Sequence, residues 1–220
     1  MLPRPAVTSS LASVPSSIAL FTALCVSACN PYGGVPASIH DPSTLSLDDY
    51  GAPSTFISGG PISCPSGTND GEIQLAWSSG AVKEKGTCRG GVLIGTWRAY
   101  FANGEERWKG DLVGGRFEGT FKGWYPNGQK RVEITFQNGL PHGEFDAWWE
   151  NGEKREEGDY VAGKRNGCWQ SYYASGEKAT KGTYADGEKV LTWLSWDEGG
   201  TKRKEKLGGE AKHGKCLITF

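Results

Sequence analysis

Gly95-Thr-Trp-Arg-Ala-Tyr-Phe-Ala-Asn-Gly104 is the stretch that decides the fold, because the chain repeats it with variations. A charged run follows to Leu112, then Gly114-Gly115, and the pattern restarts at Gly119. Leading glycines stand at Gly71, Gly95, Gly119, Gly143 and Gly167, and mid-unit glycines at Gly80, Gly104, Gly128, Gly152, Gly176 and Gly200, a 24-residue period without a slip. A period of this length means stacked supersecondary units. Each unit carries two turn signals. The first is Ser79-Gly80, Asn103-Gly104, Asn127-Gly128, Asn151-Gly152, Ser175-Gly176 and Gly199-Gly200, which reads as a two-residue hairpin loop with positive φ at both residues. The second, 11 residues on, is Gly90-Gly91, Gly114-Gly115, Asn138-Gly139, Ala162-Gly163 and Asp186-Gly187. The gaps between turns hold one short strand each, so every unit is a hairpin and the array is an all-β antiparallel meander of about twelve strands.

Period-two alternation assigns the two faces of the sheet. One face carries Trp97, Ala99, Phe101; Phe121, Gly123, Tyr125; Phe145, Ala147, Trp149; and Trp169, Ser171, Tyr173, which makes it the packed face. The other is polar except for one aromatic per unit, the ladder Tyr100, Trp124, Trp148, Tyr172 and Trp196. Glycines recur inside the second strand at Gly86, Gly110, Gly158 and Gly182, with Ile134 the exception, and a strand glycine marks close approach by a neighbouring side chain. Ladder or core aromatics are expected over them.

Aromatic pairs before Asn-Gly and the boundary motifs Pro141-His142-Gly143, Arg165-Asn166-Gly167 and Lys212-His213-Gly214 resemble MORN repeats in their longer bacterial variant. The resemblance covers about two thirds of the chain. It implies an elongated single-layer sheet of about six hairpins, with units starting near 71, 95, 119, 143, 167 and 191 and a C-terminal cap, and it assigns residues 63–220 to that sheet. For function it implies a binding or scaffolding module, and relatives labelled as antitoxins suggest an immunity protein as an alternative. Fold alone does not carry function.

Residues 1–28 read as a lipoprotein signal peptide. Ile18 to Val26 is an apolar run too short to span a bilayer, and Val26-Ser27-Ala28-Cys29 resembles a bacterial lipobox with Cys29 as the lipidated residue. Acyl chains on Cys29, at about 0.8 kcal/mol per buried methylene, would anchor the protein without a span. Residues 29–62, rich in Pro, Gly, Ser and Ala, read as a tether reaching roughly 30 Å. The expected location is a bacterial cell envelope, at the outer membrane or the periplasmic face. Cys64 and Cys88 are the expected disulfide, clamping the first edge of the sheet. Cys168 and Cys216 stand two units apart, four strand spacings or roughly 19 Å, beyond the limit of about 7 Å for a bridge; they are expected unpaired unless the C-terminal segment leaves the meander.

The formal charge of −1 gives no basic excess for nucleic acid. Neither zinc spacing, nor a phosphate loop, nor an EF-hand occurs, and no nucleophile, base and orienting group share a spacing. His142 and His213 occupy one boundary position and read as turn acceptors; His40 and Asp41 sit in the tether. The expectations are therefore a monomeric, non-catalytic protein without cofactor or metal, anchored to a membrane and presenting the ladder to an envelope protein or glycan; an enzyme is the remote alternative. The ladder has two readings, a binding stripe or cross-strand cover for the strand glycines. The run Lys202 to Lys206 reads as a charged edge that blocks strand addition.

Overall fold

The computed structural model describes residues 60–65, 67–211, 214 and 216. The expected signal peptide, Cys29, His40, Asp41, His213 and the tether up to residue 59 lie outside the described residues. Twelve strands form one antiparallel sheet in chain order: β1 Gly71–Ala76, β2 Val82–Arg89, β3 Val92–Tyr100, β4 Glu106–Val113, β5 Arg116–Trp124, β6 Lys130–Gln137, β7 Leu140–Trp148, β8 Lys154–Val161, β9 Lys164–Tyr172, β10 Lys178–Ala185, β11 Glu188–Trp196 and β12 Lys202–Lys206. Among the described residues there is no helix.

The leading glycines make a bulge. Thr87 stands opposite Ile94 and Lys85 opposite Arg98, so Gly86 alone faces Gly95, Thr96 and Trp97. Such an insertion bends a strand and re-aims the side chains that follow, and it needs positive φ at its first residue: 64° at Gly95, 76° at Gly119, 96° at Gly143. Leu191 replaces this glycine in the last full unit and keeps the conformation, at 62°. The bulge drops Trp97 onto Gly86, where a Cβ would fall inside the indole ring. Trp169 covers Gly158 and Trp193 covers Gly182 in the same way, while Phe117 and Phe121 cover Gly110. The rings over the strand glycines thus belong to the packed face, and the ladder covers none of them.

That face is the core. Trp97, Ala99, Trp108, Leu112, Phe117, Phe121, Val132, Ile134, Phe136, Phe145 and Ala147 are all buried. Rings touch from unit to unit, with centroids at 5.8 Å for Trp108 and Phe121, 5.4 Å for Phe145 and Trp169, and 4.9 Å for Tyr184 and Trp193. One polar pair interrupts this core. Arg165 and Glu156, both buried, form an ion pair at 2.6 Å, with the guanidinium 4.0 Å from the centre of the Trp169 ring.

Two expectations need correction. The first turn is not the two-residue loop. Phe101 N donates to Glu105 O at 2.8 Å and Gly104 N to Phe101 O at 3.0 Å. Only the glycine has positive φ there, at 89°. Asn103 instead accepts from Glu105 N through its side-chain oxygen at 3.1 Å, so the loop is a type I turn closed by a left-handed glycine. The turn with two positive φ values is the second one, at Gly114-Gly115 (57° and 77°) and Asn138-Gly139 (52° and 81°).

The other correction concerns Cys168 and Cys216, which are bridged, with Cα atoms 4.7 Å apart. After β12 the chain leaves the meander and returns over the second-turn end of the sheet. Leu207 N donates to Leu191 O at 2.6 Å, Cys216 N donates to Thr183 Oγ1 at 3.1 Å, and Gly214 lies against Gly167. The estimate of roughly 19 Å holds for a continued meander and fails for a strap. A second strap lies at the N-terminal side. Ile62 N donates to Gly115 O at 2.7 Å and Cys64 N to Gly91 O at 2.9 Å, and Cys64 is bridged to Cys88 with Cα atoms 6.1 Å apart.

Candidate functional site

The ladder residues Tyr100, Trp124, Trp148, Tyr172 and Trp196 close β3, β5, β7, β9 and β11, and all are half-buried. In register beside them stand Glu106, Lys130, Lys154, Lys178 and Lys202, so this row alternates aromatic and charged side chains across the sheet. Cations lie over the rings. Lys85 Nζ is 5.1 Å from the centre of Tyr100, Lys109 Nζ 5.3 Å from Trp124, and Lys130 and Lys154 are 4.8 and 5.6 Å from Trp148. Such contacts hold a lysine stem along the ring while its charge stays in water.

The backbone under four of the five ladder rings is pinned from the opposite face, a feature the alternation alone does not reveal. Trp77 Nε1 donates to Tyr100 O at 3.3 Å, Tyr125 OH to Trp148 O at 2.8 Å, Trp149 Nε1 to Tyr172 O at 3.0 Å and Tyr173 OH to Trp196 O at 2.6 Å. Each donor reaches 23 residues forward, to the next unit. Phe101 has no such donor, so Trp124 lacks this particular link. At the turns, Asn103, Asn127 and Asn151 donate to the carbonyls of Pro126, Glu150 and Ala174 and stitch the same edge.

Beside the rings runs a lattice of ion pairs: Arg98 with Glu106 at 2.7 Å, Lys122 with Glu133 at 3.0 Å, and Lys154 with Asp146 at 2.6 Å and Glu157 at 3.1 Å. Tyr172 OH donates to Glu157 Oε1 at 2.7 Å and accepts from Gln170 Nε2 at 2.7 Å. Burial and the neighbouring Glu157 carboxylate push the Tyr172 hydroxyl up. For Glu157 burial acts upward, but hydrogen bonds from Tyr172 and Lys154 outweigh it and hold the carboxyl below the ordinary glutamate value. A shallow depression of about 170 Å³, lined by Gln129, Lys130, Trp148 and Gly152, opens at the middle of the row.

His142 takes its place among the turn acceptors. Its Nδ1 accepts from Ala162 N at 3.4 Å, as Asp70 accepts from Gly90 N and Glu118 from Asn138 N in their own units. Among the described residues no three His, Cys, Asp or Glu side chains are grouped to hold a metal ion.

The family model of the MORN repeat variant matches residues 117–138 and 165–186. Two units are thus of MORN type. They lie two periods apart and in register with the rest, so the MORN-like units share one hairpin plan. No curated protein matches the chain. Among solved structures, a crystal structure of the GtfA/B complex bound to UDP and GlcNAc matches with a TM-score of 0.22 and 14% identity, over 51% of this chain and 22% of that chain. The chain spans about a fifth of that relative's length, and so loose a likeness supports no argument about this sheet.

Proposed function

We propose that this chain is a non-catalytic binding or scaffolding module, lipid-anchored through Cys29 in a bacterial envelope, whose ladder face meets a protein or glycan. The MORN matches support a repeat-based binding or scaffolding role. What carries the choice of face is that the ladder is not needed as cover for the strand glycines: Trp97, Phe121, Trp169 and Trp193 already do this from the other side. The ladder rings are instead aligned in register, four of them held from below by the hydrogen bonds of Trp77, Tyr125, Trp149 and Tyr173, and all left partly exposed. Half-buried Trp and Tyr on rigid strands supply contact area at little entropic cost. Support for export comes from the lipobox-like Val26-Ser27-Ala28-Cys29 and from two disulfides, which persist in oxidising compartments.

Location and face are tested separately. Native protein should carry acyl mass on Cys29 and partition with membranes, and Cys29→Ser should move to the soluble fraction; an unlipidated, soluble native protein refutes the anchor. A photo-crosslinker at Gln170, on the ladder face, should give an envelope adduct that is lost in Trp148→Ala while the thermal melt is kept. Equal adduct yield in both backgrounds rejects the ladder as the binding face.

A further inference from the structure

One row of the ladder face, a register position inward from the rings, is sorted by charge. Strand pairing places Lys85 opposite Arg98, Arg98 opposite Lys109 and Lys109 opposite Lys122, so four cations stand in line on β2 to β5. Lys122 then stands opposite Glu133, Glu133 opposite Asp146 and Asp146 opposite Glu157, which puts three anions in line on β6 to β8. Like charges directly opposite on one face of an antiparallel pair destabilise it, and unlike charges stabilise it. The row therefore holds five repulsive neighbours and a single attractive one, where alternation of sign would have given six attractive ones. The ring row compensates by sharing: Glu106 serves both Arg98 and Lys109, Lys154 serves both Asp146 and Glu157, and Lys130 joins Lys122 on Glu133. From Arg98 to Glu157 these side chains are between 30% and 40% exposed. Alternation of sign would have made each of these steps attractive without shared partners.

We propose that the ladder face pairs with a second copy of this chain, turned about a twofold axis parallel to the strands between β5 and β6. That operation sets Lys122 against Glu133 of the second copy and Lys109 against Asp146 of the second copy, each pair occurring twice, as an isologous contact requires. It also sets Trp124 against Lys130 of the second copy, repeating across the interface the cation and ring contact made within each chain. The contact is centred on β4 through β7, where the cation block meets the anion block. So small a patch, wet and ionic, gives an affinity on the order of micromolar or weaker, set by electrostatics and reduced by salt. This rests on the ladder face being the binding face, and it names the partner as the chain itself in place of the monomer expected above.

The test is sedimentation velocity on the full chain carrying Cys29→Ser, so that no acyl chain can drive association. At roughly 100 µM a dimer is expected in 0.02 M salt, with a dissociation constant at least about ten-fold weaker in 0.5 M salt. Lys109→Glu with Lys122→Glu should give a monomer, and so should Glu133→Lys with Asp146→Lys, each with an unchanged far-ultraviolet spectrum. Mixing these two variants should restore a one-to-one dimer, because both junctions then join unlike charges. A monomer at low salt, a dimer indifferent to either double reversal, or a mixture that stays monomeric overturns the proposal. Binding of poly-glutamate by a chain that remains monomeric also overturns it, in favour of an acidic partner. If the Gln170 adduct still depends on Trp148 while every variant sediments alike, self-pairing falls and the binding face stands.

Discussion

At the scale of single residues, two glycine positions separate two physical demands. Gly143 is needed for its backbone: φ is 96°, and a Cβ would meet nothing closer than Thr135 at 3.7 Å. Gly158 is needed for its emptiness, because a Cβ there enters the Trp169 ring. Gly143→Ala should cost about 1–2 kcal/mol and Gly158→Ala about 3 kcal/mol or more, both measured by urea unfolding. The buried pair Glu156 and Arg165 occupies positions that hold Val132 and Pro141, or Trp108 and Phe117, in neighbouring units. Glu156→Ala leaves a buried guanidinium without its carboxylate and should cost about 3–5 kcal/mol, whereas Glu156→Val combined with Arg165→Phe should return stability to within about 1–2 kcal/mol of the parent. For Glu157 the folded carboxyl titrates below its unfolded value. Its contribution is therefore present above the unfolded value of about 4.3 and is lost as pH falls through the folded one. Tyr172→Phe removes a hydrogen bond to the charged form, so the acid limb of the stability curve should become shallower in melts taken between about pH 5 and pH 2.

Among the elements, the turns show why legibility was uneven. Asn-Gly occurs at both turn positions, as Asn103-Gly104 and Asn138-Gly139. Asparagine tolerates the left-handed region, and it also folds its side chain onto the backbone two residues on. The dipeptide marks a turn in both places but does not say which of the two it does; closure by Phe101 and Glu105 decides the first case. The straps belong to the same scale. Each is a segment without strand pattern, held by a few backbone bonds and one disulfide. Loop entropy assigns about 3.5 kcal/mol to the bridge spanning 24 residues and about 4 kcal/mol to the one spanning 48. Cys168→Ser should accordingly lower the melting temperature more than Cys64→Ser, and hydrogen exchange in Cys168→Ser should rise first around Leu191, where the strap binds. The edge strand β12, with all five of its side chains exposed and four of them Lys or Arg, ends the sheet without inviting another strand.

For the described sheet as a whole, each unit contacts its neighbours in order, and long-range pairing is absent apart from the straps. Stability in such an array is a sum of unit terms and nearest-neighbour terms. Deleting residues 119–142, one full period, joins equivalent positions and should leave a cooperative sheet whose urea m-value falls by about one sixth, since m follows the surface exposed on unfolding. Loss of cooperativity on that deletion would mean that the units are not interchangeable. Charge is the property that is least interchangeable between them: positions 109, 133 and 157 are one slot of the repeat, occupied by Lys, Glu and Glu.

The 24-residue period, the hairpin plan, the core face and the ladder are determined by sequence alone, because they rest on local rules: two-residue alternation, turn chemistry and exact recurrence. The depth of the ladder, the rings over Gly86 and Gly158, the Cys168 to Cys216 bridge and the charge-sorted row were decided by tertiary structure. Each of these depends on which residues stand opposite one another across strands, and the bulges at Gly95, Gly119, Gly143 and Gly167 shift that register by an amount no single strand encodes. The C-terminal strap needed more still: its residues carry no periodicity, and only the bonds of Leu207 and Cys216 to earlier strands give it a place.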